Sequence, residues 1–449
     1  MKSNLVYFGH EKIIYNLNSY QMLEKLFNDK FIMLIPSRFN KELFSSQNTI
    51  ISSILWEPQD ERLFWNYLLW ANFLTKRNTT LNMFLRVNCF GTSKIYNAKS
   101  VIIALKNAFR MLTTINWFIL RKIYRYNSSE ILGFLRTNKI IKSNCVSLFK
   151  DVIRLNTISK VFIISTFNDP SIFDLVEACD SLGIPVIVLP ESWDNISTSI
   201  AIPHKINGLY VWSDQQTREV REFYPELVQK THVIGSYRIT TAINANKLRI
   251  NNNLSKKSIK ILYLEGYYLE DIINVMNKVL TALTQNEQFK LFNIEIIYRN
   301  YPLKKQTDSN FIRNDLSKLK LPQNISVKNS RKNRLWEDLE DTDLVISEST
   351  TAGLEAAFQL KPIIFIYSKK SRKYIDTKKS YKFSYASDLK KYFSLINIDG
   401  KNSEKVLALE INNLIVNPEL NDAKTNHRSV TLDFFGKPFD FEIWKELCE

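Results

Sequence analysis

The chain has 449 residues, of which 45% are hydrophobic and 24% are charged, and its formal net charge is +16 at pH 7. Such a length exceeds one ordinary hydrophobic core and indicates two or three domains in a globular protein of ordinary composition. Only 10 glycines, 4 cysteines and 4 histidines are present, and the cysteines and histidines are widely dispersed. Collagen-like proteins, disulfide frameworks and His/Cys metal centres are therefore excluded.

The first third of the chain carries most of the positive charge. Residues 1–150 contain 21 Lys/Arg and 8 Asp/Glu, a net charge of +13, and residues 101–150 contain nine basic residues and a single acid. Residues 100–126 interleave basic with aromatic side chains, which is typical of a helix lying on an anionic membrane leaflet; a core helix with snorkelling ends is the alternative. We expect residues 101–150 to contact the anionic inner surface of the plasma membrane.

Localisation signals are sparse. Residues 1–20 lack the apolar core of a signal peptide, and no uncharged apolar run reaches the ~18–20 residues of a membrane span. We therefore expect a cytoplasmic protein that is peripheral on the membrane.

Strands and helices alternate from residue 160 onwards, after an N-terminal strand at 31–36 and a largely helical pattern over 60–126. The predicted strands of this block are 161–166, 184–190, 209–212 and 232–235, and its helices are 172–181 and 214–223. Such alternation predicts a parallel sheet covered by helices.

A second alternating block follows a polar, basic segment at 244–260, which we interpret as a linker. Its predicted elements are a strand at 259–264, a helix at 269–284, a strand at 294–298 and a strand–helix–strand unit at 341–367. We place the domains at 1–243 and 261–425, with an aromatic tail at 426–449 that packs back on the body. Two doubly wound sheets joined in this way would face each other across a cleft at their carboxyl ends.

The segment 341–367 carries the strongest site signal. A short apolar strand runs into hydroxyl side chains at the start of a helix, where free N–H groups and the helix dipole favour a phosphate. A glycine in the first helical turn would allow a ligand to approach closely. An ordinary βαβ unit with a well-capped helix is the alternative. The residues concerned are Ser347, Ser349, Thr350, Thr351 and Gly353.

The same segment resembles the donor-nucleotide half of GT-B glycosyltransferases, in which a similar turn and a helical Glu, here Glu355, hold the sugar nucleotide. Residues 190–220 contain Ser192-Trp193-Asp194-Asn195 after a strand, followed by Pro203 and by Val211-Trp212. That pattern resembles a group of bacterial polysaccharide-biosynthesis glycosyltransferases, distantly similar to CDP-glycerol glycerophosphotransferases. The stretch 232–238 is similar to the segment at which that family's first domain ends. This chain lacks the Asp with which the family's segment finishes.

The resemblance implies an α/β fold of GT-B architecture, with two Rossmann-like domains facing a central cleft. Residues 1–243 would then bind the acceptor, and residues 261–425 the nucleotide-sugar. An inverting transfer needs a general base for the acceptor hydroxyl. Asp194 is our first candidate and Glu191 the second, while Trp193 and Asn195 would contact the acceptor; an Asx turn at 194–195 is the structural alternative.

Two further residues belong to the predicted nucleotide site. Gly266 follows a strand and would let the turn pass close to a diphosphate, and Arg299 ends a strand within an Arg-x-Tyr-Pro sequence. That sequence is similar to an Arg-x-His-Pro element of CDP-glycerol transferases, with Tyr301 in place of His. Asp341 and Asp343 form an Asp-x-Asp sequence, which in some glycosyltransferases binds a divalent cation when it follows a strand. Here the two residues precede their strand, so we expect no metal and no other cofactor.

The leading hypothesis is a glycosyltransferase that moves a sugar from a nucleotide-sugar to a glycan or lipid-linked acceptor in capsule or lipopolysaccharide biosynthesis. A CDP-alditol phosphotransferase of the teichoic acid type and a sugar-nucleotide 2-epimerase share the fold. A non-catalytic scaffold that binds polyanions is a further alternative. A nucleic-acid-binding protein would suit the basic charge, but the sequence contains no nucleic-acid recognition motif, so we expect no nucleic acid partner.

Overall fold

The computed structural model describes a little over half of the chain. The described residues are 3–8, 27, 31–36, 49–53, 56–57, 59–61, 63–64, 128–164, 170–193, 196, 202–246, 258–266, 272–300, 319–331, 335–348, 351–367, 392–415 and 434–448. Among them, no helix is both long enough and apolar enough to cross a membrane.

The described chain forms two compact units. The strands of the first unit are β1 (Ser3–Phe8), β2 (Phe31–Pro36), β3 (Thr49–Ser53), β4 (Ile158–Ile164), β5 (Val186–Leu189), β6 (Gly208–Val211) and β7 (Thr231–Val233). Its helices, up to the end of β7, are α1 (Ser128–Thr137), α2 (Val146–Leu155), α3 (Ser171–Leu182) and α4 (Asp214–Phe223). A 3-10 helix at Pro225–Lys230 leads into β7.

These seven strands form one parallel sheet in the order β3-β2-β1-β4-β5-β6-β7. All four residues of β5 are buried, as expected where helices cover both faces of a parallel sheet. Helix α3 ends at Gly183, whose φ of 66° is the left-handed conformation that glycine adopts without strain. Helix α4 begins at Ser213, whose side chain accepts a hydrogen bond from the Gln216 N–H.

The second unit contains the remaining strands and most of the remaining helices. Its elements are α5 (Tyr237–Asn246), β8 (Ser258–Leu264), α6 (Ile272–Thr284), β9 (Asn293–Arg299), β10 (Ile325–Asn329), α7 (Leu335–Glu340), β11 (Leu344–Glu348), α8 (Thr351–Phe358), β12 (Ile363–Tyr367), β13 (Ser394–Asn397) and α9 (Ser403–Ile415). The apolar faces of α6 and α9 pack with the sheet in one core, because both helices present buried residues at helical spacing.

The second sheet is parallel and has the order β10-β9-β8-β11-β12-β13. The successive strands β8, β9 and β10 run outward in one direction, and β11, β12 and β13 run outward in the other. This is the strand order of the doubly wound Rossmann fold, and it reverses between β8 and β11. Ligands of such sheets bind at that point, outside the carboxyl ends of the strands.

The last helix, α10 (Phe441–Cys448), belongs to the first unit. Its Trp444 is buried, and the indole ring lies 5.0 Å from the ring of Phe27 and 5.1 Å from that of Phe162 on β4. The Asp440 N–H, just before this helix, donates a hydrogen bond to the Ile234 carbonyl. Aromatic burial therefore holds this helix on the first unit.

The observed division of the chain differs from the predicted one. The chain leaves the first unit at Gly235 and returns to it at Asp440. The predicted boundary at 243 and linker at 244–260 lie further along, because residues 237–246 form a helix that packs on α7 and α8 of the second unit. Within the predicted linker, residues 258–260 already belong to β8. The predicted tail, 426–449, contributes to both units.

Both units are thus parallel, doubly wound α/β sheets, as the alternating pattern predicts. Strands β1, β3, β10 and β13 were not predicted, and most of the predicted helical region at 60–126 lies outside the described residues.

Candidate functional site

The carboxyl ends of β8 and β11 form the candidate site of the second unit. The two strands are neighbours, and Ser347 lies opposite Leu264 in their register. Strand β8 runs directly into Glu265 and Gly266, and β11 runs through Glu348 into residues 349–350 and the start of α8. The strand ends that lead into the two segments predicted to bind phosphate are therefore adjacent, at the point where the strand order reverses.

Gly266 lies against the side chain of Glu348. A Cβ atom at residue 266 would lie 2.8 Å from Glu348 Cβ and 2.9 Å from its Cδ, and closer still to Oε2. The Glu348 side chain cannot easily give way, because the residue is 3% exposed and its Oε1 accepts a hydrogen bond of 3.2 Å from the Tyr263 hydroxyl. Glycine at 266 is thus required by Glu348, a partner that the sequence pattern did not reveal.

A second buried carboxylate, Glu265, lies at the same edge of the sheet. It is 3% exposed, and it lies close enough to the Tyr298 hydroxyl to raise the pKa of that phenol. The rings of Tyr298 and Tyr263 stack with centroids 5.5 Å apart. Burial first, and the nearby carboxylates second, raise the pKa of both phenols well above the ordinary value, so both hydroxyls keep their protons and remain donors.

Helix α8 packs very closely on the sheet at its first turn. A Cβ on Gly353 would lie 2.5 Å from Phe365 Cε1 on β12 and 2.6 Å from Ser347 Oγ. The missing side chain thus serves helix–sheet packing, whereas we expected it to serve the approach of a ligand. Ser347 is fully buried, and its hydroxyl donates to the Glu348 carbonyl at 2.6 Å, so this side chain belongs to the interior.

The backbone of the α8 N-terminus remains suited to an anion. The first N–H groups of a helix have no intrahelical acceptor, and the dipole places partial positive charge there. Thr351 is the first helical residue. The side chain of Thr351, and Ser349 and Thr350 entirely, lie outside the described residues.

Glu355 forms an ion pair with Arg238. The arginine lies on α5, which packs against α8, and each of the two side chains is 16% exposed. Sequence reasoning selected Glu355 but missed Arg238. The available signal was its place at the end of the stretch 232–238, three residues after Gly235, where the first unit ends.

The position of the expected Asp in that stretch is held by Thr240. Its hydroxyl donates to the Ser236 carbonyl at 3.3 Å and accepts a hydrogen bond of 2.7 Å from the Phe439 N–H. The threonine therefore ties α5 to the segment through which the chain returns to the first unit.

Arg299 has a structural partner of its own. Its Nη1 lies 2.5 Å from Asp338 Oδ2, and Asp338 also accepts a hydrogen bond of 2.6 Å from the Ser330 hydroxyl. Asp338 is 2% exposed, so breaking this pair would leave a buried charge uncompensated. The arginine thus anchors α7 to the ends of β9 and β10, and its assignment to a phosphate stays a prediction.

The Asp-x-Asp sequence lies at the opposite, amino edge of the sheet. Asp343 Oδ2 accepts a hydrogen bond of 2.8 Å from the Lys260 N–H, and the Lys260 ammonium lies 3.9 Å from Asp341. These acids therefore join the beginnings of β8 and β11. Among the described residues, no group of three or more His, Cys, Asp and Glu side chains could hold a metal ion.

In the first unit, the loop after β5 is held by the next strand-to-helix turn. The Trp212 indole N–H donates to the Pro190 carbonyl at 2.8 Å, and the Gln216 side-chain amide donates to the carbonyls of Ser192 and Trp193 at 3.0 and 2.9 Å. The Trp193 side chain is 5% exposed, so most of its ring is interior.

The predicted catalytic residues of that loop are only partly described. Glu191 is 6% exposed and thus buried beside β5. Asp194 and Asn195 lie outside the described residues, as do residues 101–127 of the predicted membrane-facing region.

Comparison with solved structures identifies the architecture. MurG from Acinetobacter baumannii superposes with a TM-score of 0.53 at 10% identity, with 99% of each chain covered. A putative UDP-N-acetylglucosamine 2-epimerase from Listeria monocytogenes gives a TM-score of 0.53 at 10% identity, covering 99% of this chain and 94% of the other. The UDP-GlcNAc 2-epimerase from Neisseria meningitidis, bound to UDP-GlcNAc, gives 0.50 at 13% identity, with 99% of each chain covered.

The fold is GT-B. The predicted fold class, α/β with two Rossmann-like domains, is thereby confirmed. No family model and no curated protein matches the sequence, so the similarity to these structures is one of fold.

Proposed function

We propose that the protein is a glycosyltransferase that moves a sugar from a nucleotide-sugar to a glycan or lipid-linked acceptor in surface polysaccharide biosynthesis. The observation that carries the proposal is the adjacency of two loops at the reversal point of the second sheet. One loop contains Gly266, and the other leads into α8. The sequence alone indicates both as phosphate-binding segments.

The nucleotide diphosphate would bind at the start of α8. Backbone N–H groups of its first turn and the hydroxyls of Ser349, Thr350 and Thr351 are donors suited to phosphate oxygens. Glu355 would accept hydrogen bonds from the ribose. The UDP-GlcNAc held by the Neisseria meningitidis epimerase supports a nucleotide-sugar as the ligand of such a fold.

The acceptor would bind at the loop after β5. Asp194, with Glu191 as the alternative, would take the proton of the acceptor hydroxyl. The acceptor oxygen would then form its bond to the anomeric carbon, while the bond from that carbon to the nucleoside diphosphate breaks on the opposite face. Trp193 and Asn195 would position the acceptor sugar. We propose inversion at the anomeric carbon, with helix N–H groups in place of a metal ion at the leaving diphosphate.

A sugar-nucleotide 2-epimerase is the second candidate. The observation that favours it is the TM-score of 0.53 with the Listeria monocytogenes protein, which equals the score with MurG. An epimerase would convert a nucleotide-sugar without an acceptor, whereas a transferase would release the nucleoside diphosphate only when an acceptor is present.

A thermal-shift panel of UDP, GDP, CDP, CMP, dTDP and ADP tests the donor site. Binding stabilises the folded protein by about 2.7 kcal/mol at a ligand concentration a hundredfold above Kd. We expect one nucleotide to shift the wild type and to lose its effect in the double variant Ser349→Ala/Thr350→Ala. The control Thr281→Ala removes an exposed hydroxyl that bonds within α6, and should leave the shift intact.

The outcome of the panel separates the functional classes. A nucleotide that binds and whose sugar conjugate is consumed with an acceptor supports the transferase. Conversion without an acceptor supports the epimerase, and release of CMP from a CDP-alditol supports the phosphotransferase. No shift with any nucleotide would contradict the donor site and favour a scaffold.

Attachment to the inner face of the plasma membrane is proposed through residues 101–150. The support is their charge, since nine of these residues are basic and one is acidic; of the nine, Arg136 is largely buried in its ion pair with Asp174 and is not counted as a membrane contact. Each basic residue near an anionic leaflet contributes about 1 kcal/mol. Sedimentation with vesicles of anionic and of neutral lipid at low salt tests this: equal recovery with both kinds of vesicle would refute it.

A further inference from the structure

The ion pair between Arg238 and Glu355 lies beside the proposed nucleotide site. Glu355 is one turn after the first helical residue of α8, and Arg238 is the second residue of α5. Arg238 Nη2 contacts Glu355 Oε1, and both side chains are largely shielded from solvent. In such surroundings an ion pair holds its geometry better than on an open surface, where water and salt compete for both partners.

The pair limits the freedom of the carboxylate. An unpaired Glu side chain samples several rotamers around three rotatable bonds, and ordering it on binding costs entropy. With Oε1 held by Arg238, the carboxylate already has a defined orientation, and Oε2 is available as an acceptor. A carboxylate oxygen is a strong acceptor for hydroxyl groups.

We propose that Arg238 is a positioning residue of the nucleotide site. It holds Glu355 in the orientation in which the carboxylate accepts a hydrogen bond from the 2′-hydroxyl of a ribose. This inference rests on the proposed donor site at α8. It also defines the substrate class: sugar conjugates of ribonucleotides bind, and those of 2′-deoxyribonucleotides are discriminated against.

Isothermal titration of matched nucleotide pairs tests the proposal. The probes are UDP with 2′-deoxy-UDP, GDP with 2′-deoxy-GDP and CDP with 2′-deoxy-CDP, each titrated into the full-length wild type and variants. We expect the wild type to bind the ribonucleotide of one pair at least ~10-fold more tightly, as for one charge-assisted hydrogen bond. In Arg238→Met this ratio should fall to within ~2-fold, with the affinity for the deoxynucleotide unchanged.

Three further variants serve as controls. Arg238→Lys keeps the charge but not the planar guanidinium, and should give an intermediate ratio. Glu355→Gln should lower the ratio as Arg238→Met does, and the double variant should lower it no further. Lys328→Met removes the cation of an exposed pair with Glu295 in the same unit, so its ratio should equal that of the wild type.

Each outcome decides the proposal. Suppose that the wild type prefers the ribonucleotide, but that Arg238→Met lowers the affinity for both nucleotides equally or for neither. The positioning role is then wrong and the donor site stands. If the wild type binds a nucleotide without preferring the ribose, the substrate class is wrong. If it binds none of the six, the donor site fails and the inference fails with it. Should Arg238→Met not fold, Arg238→Lys and Glu355→Gln decide between the same outcomes.

Discussion

Replacement of Gly266 by alanine should destabilise the second unit. The new methyl group would overlap with the Glu348 side chain, whose Cβ would lie 2.8 Å away, well inside contact distance. Overpacking a buried site typically costs about 1–3 kcal/mol. Displacing Glu348 would also break its hydrogen bond with the Tyr263 hydroxyl and leave a buried polar group unsatisfied, at a further ~1–3 kcal/mol. We therefore expect a total loss of about 2–6 kcal/mol in the free energy of unfolding.

Thermal unfolding and hydrogen exchange measure this loss. For a domain of 150–250 residues, 1 kcal/mol corresponds to about 2–4 °C in Tm, so the variant should unfold roughly 4–24 °C lower. Hydrogen exchange should accelerate in peptides that cover β8 and β11, because the overlap lies between these strands.

Gly133→Ala is the matched control for that experiment. Gly133 lies within helix α1, and a Cβ there would have no heavy atom within 4 Å. Alanine in a helix interior is more stable than glycine by about 0.5–1 kcal/mol, so this variant should gain stability. A Gly266→Ala protein with wild-type Tm and wild-type exchange in β8 and β11 would refute the packing argument.

Three shorter predictions follow from the buried groups. Since the folded-state pKa values of Tyr263 and Tyr298 are raised, the stability they confer is present below pH ~10 and is lost as the pH rises; each phenol contributes a slope of about 1.4 kcal/mol per pH unit. Urea unfolding between pH 9 and 11 should show that the free energy of unfolding falls less steeply with pH in the Tyr263→Phe/Tyr298→Phe variant than in the wild type. The same pH dependence in both proteins would contradict this. Asp174→Ala should lower the free energy of unfolding, measured in urea, by about 3–5 kcal/mol, because the fully buried carboxylate pairs with Arg136. A decrease of less than ~1 kcal/mol would show that the pair is not needed for stability. Burial raises the pKa of the Cys179 thiol to about 12, so iodoacetamide at pH 8 should modify it only after unfolding, and mass spectrometry of the native protein detects any exception.

The strands that sequence reasoning located correctly are those with continuous apolar runs. Examples are the buried strands Val186–Leu189 and Leu344–Glu348, each bounded by turn-forming or polar residues. Such runs report burial on both faces, which is the property of a covered parallel strand. Strand Ser3–Phe8 was not predicted, because its identity as a sheet member depends on pairing with β4, far along the chain.

The candidate site was predictable only in part. The start of α8 and Gly266 were found because helix starts and strand-to-helix turns have local signals. The contacts of Arg299 and Gly353 were not, since each is made with a partner in another element, such as Asp338 for Arg299. Arg238 ends the stretch 232–238, but nothing in that stretch indicated its ion pair with Glu355.

The sequence by itself determined the alternation of strands and helices, the two-unit organisation and the position of the hydroxyl-rich turn before α8. These properties follow from the periodicity of apolar residues and from local turn chemistry. The tertiary structure alone decided the strand order, with its reversal between β8 and β11. It also decided the contacts of Gly266 with Glu348 and of Arg238 with Glu355. A hydrophobic period states that a side chain is buried but not which distant side chain it meets, because that depends on the packing of elements far apart in the chain.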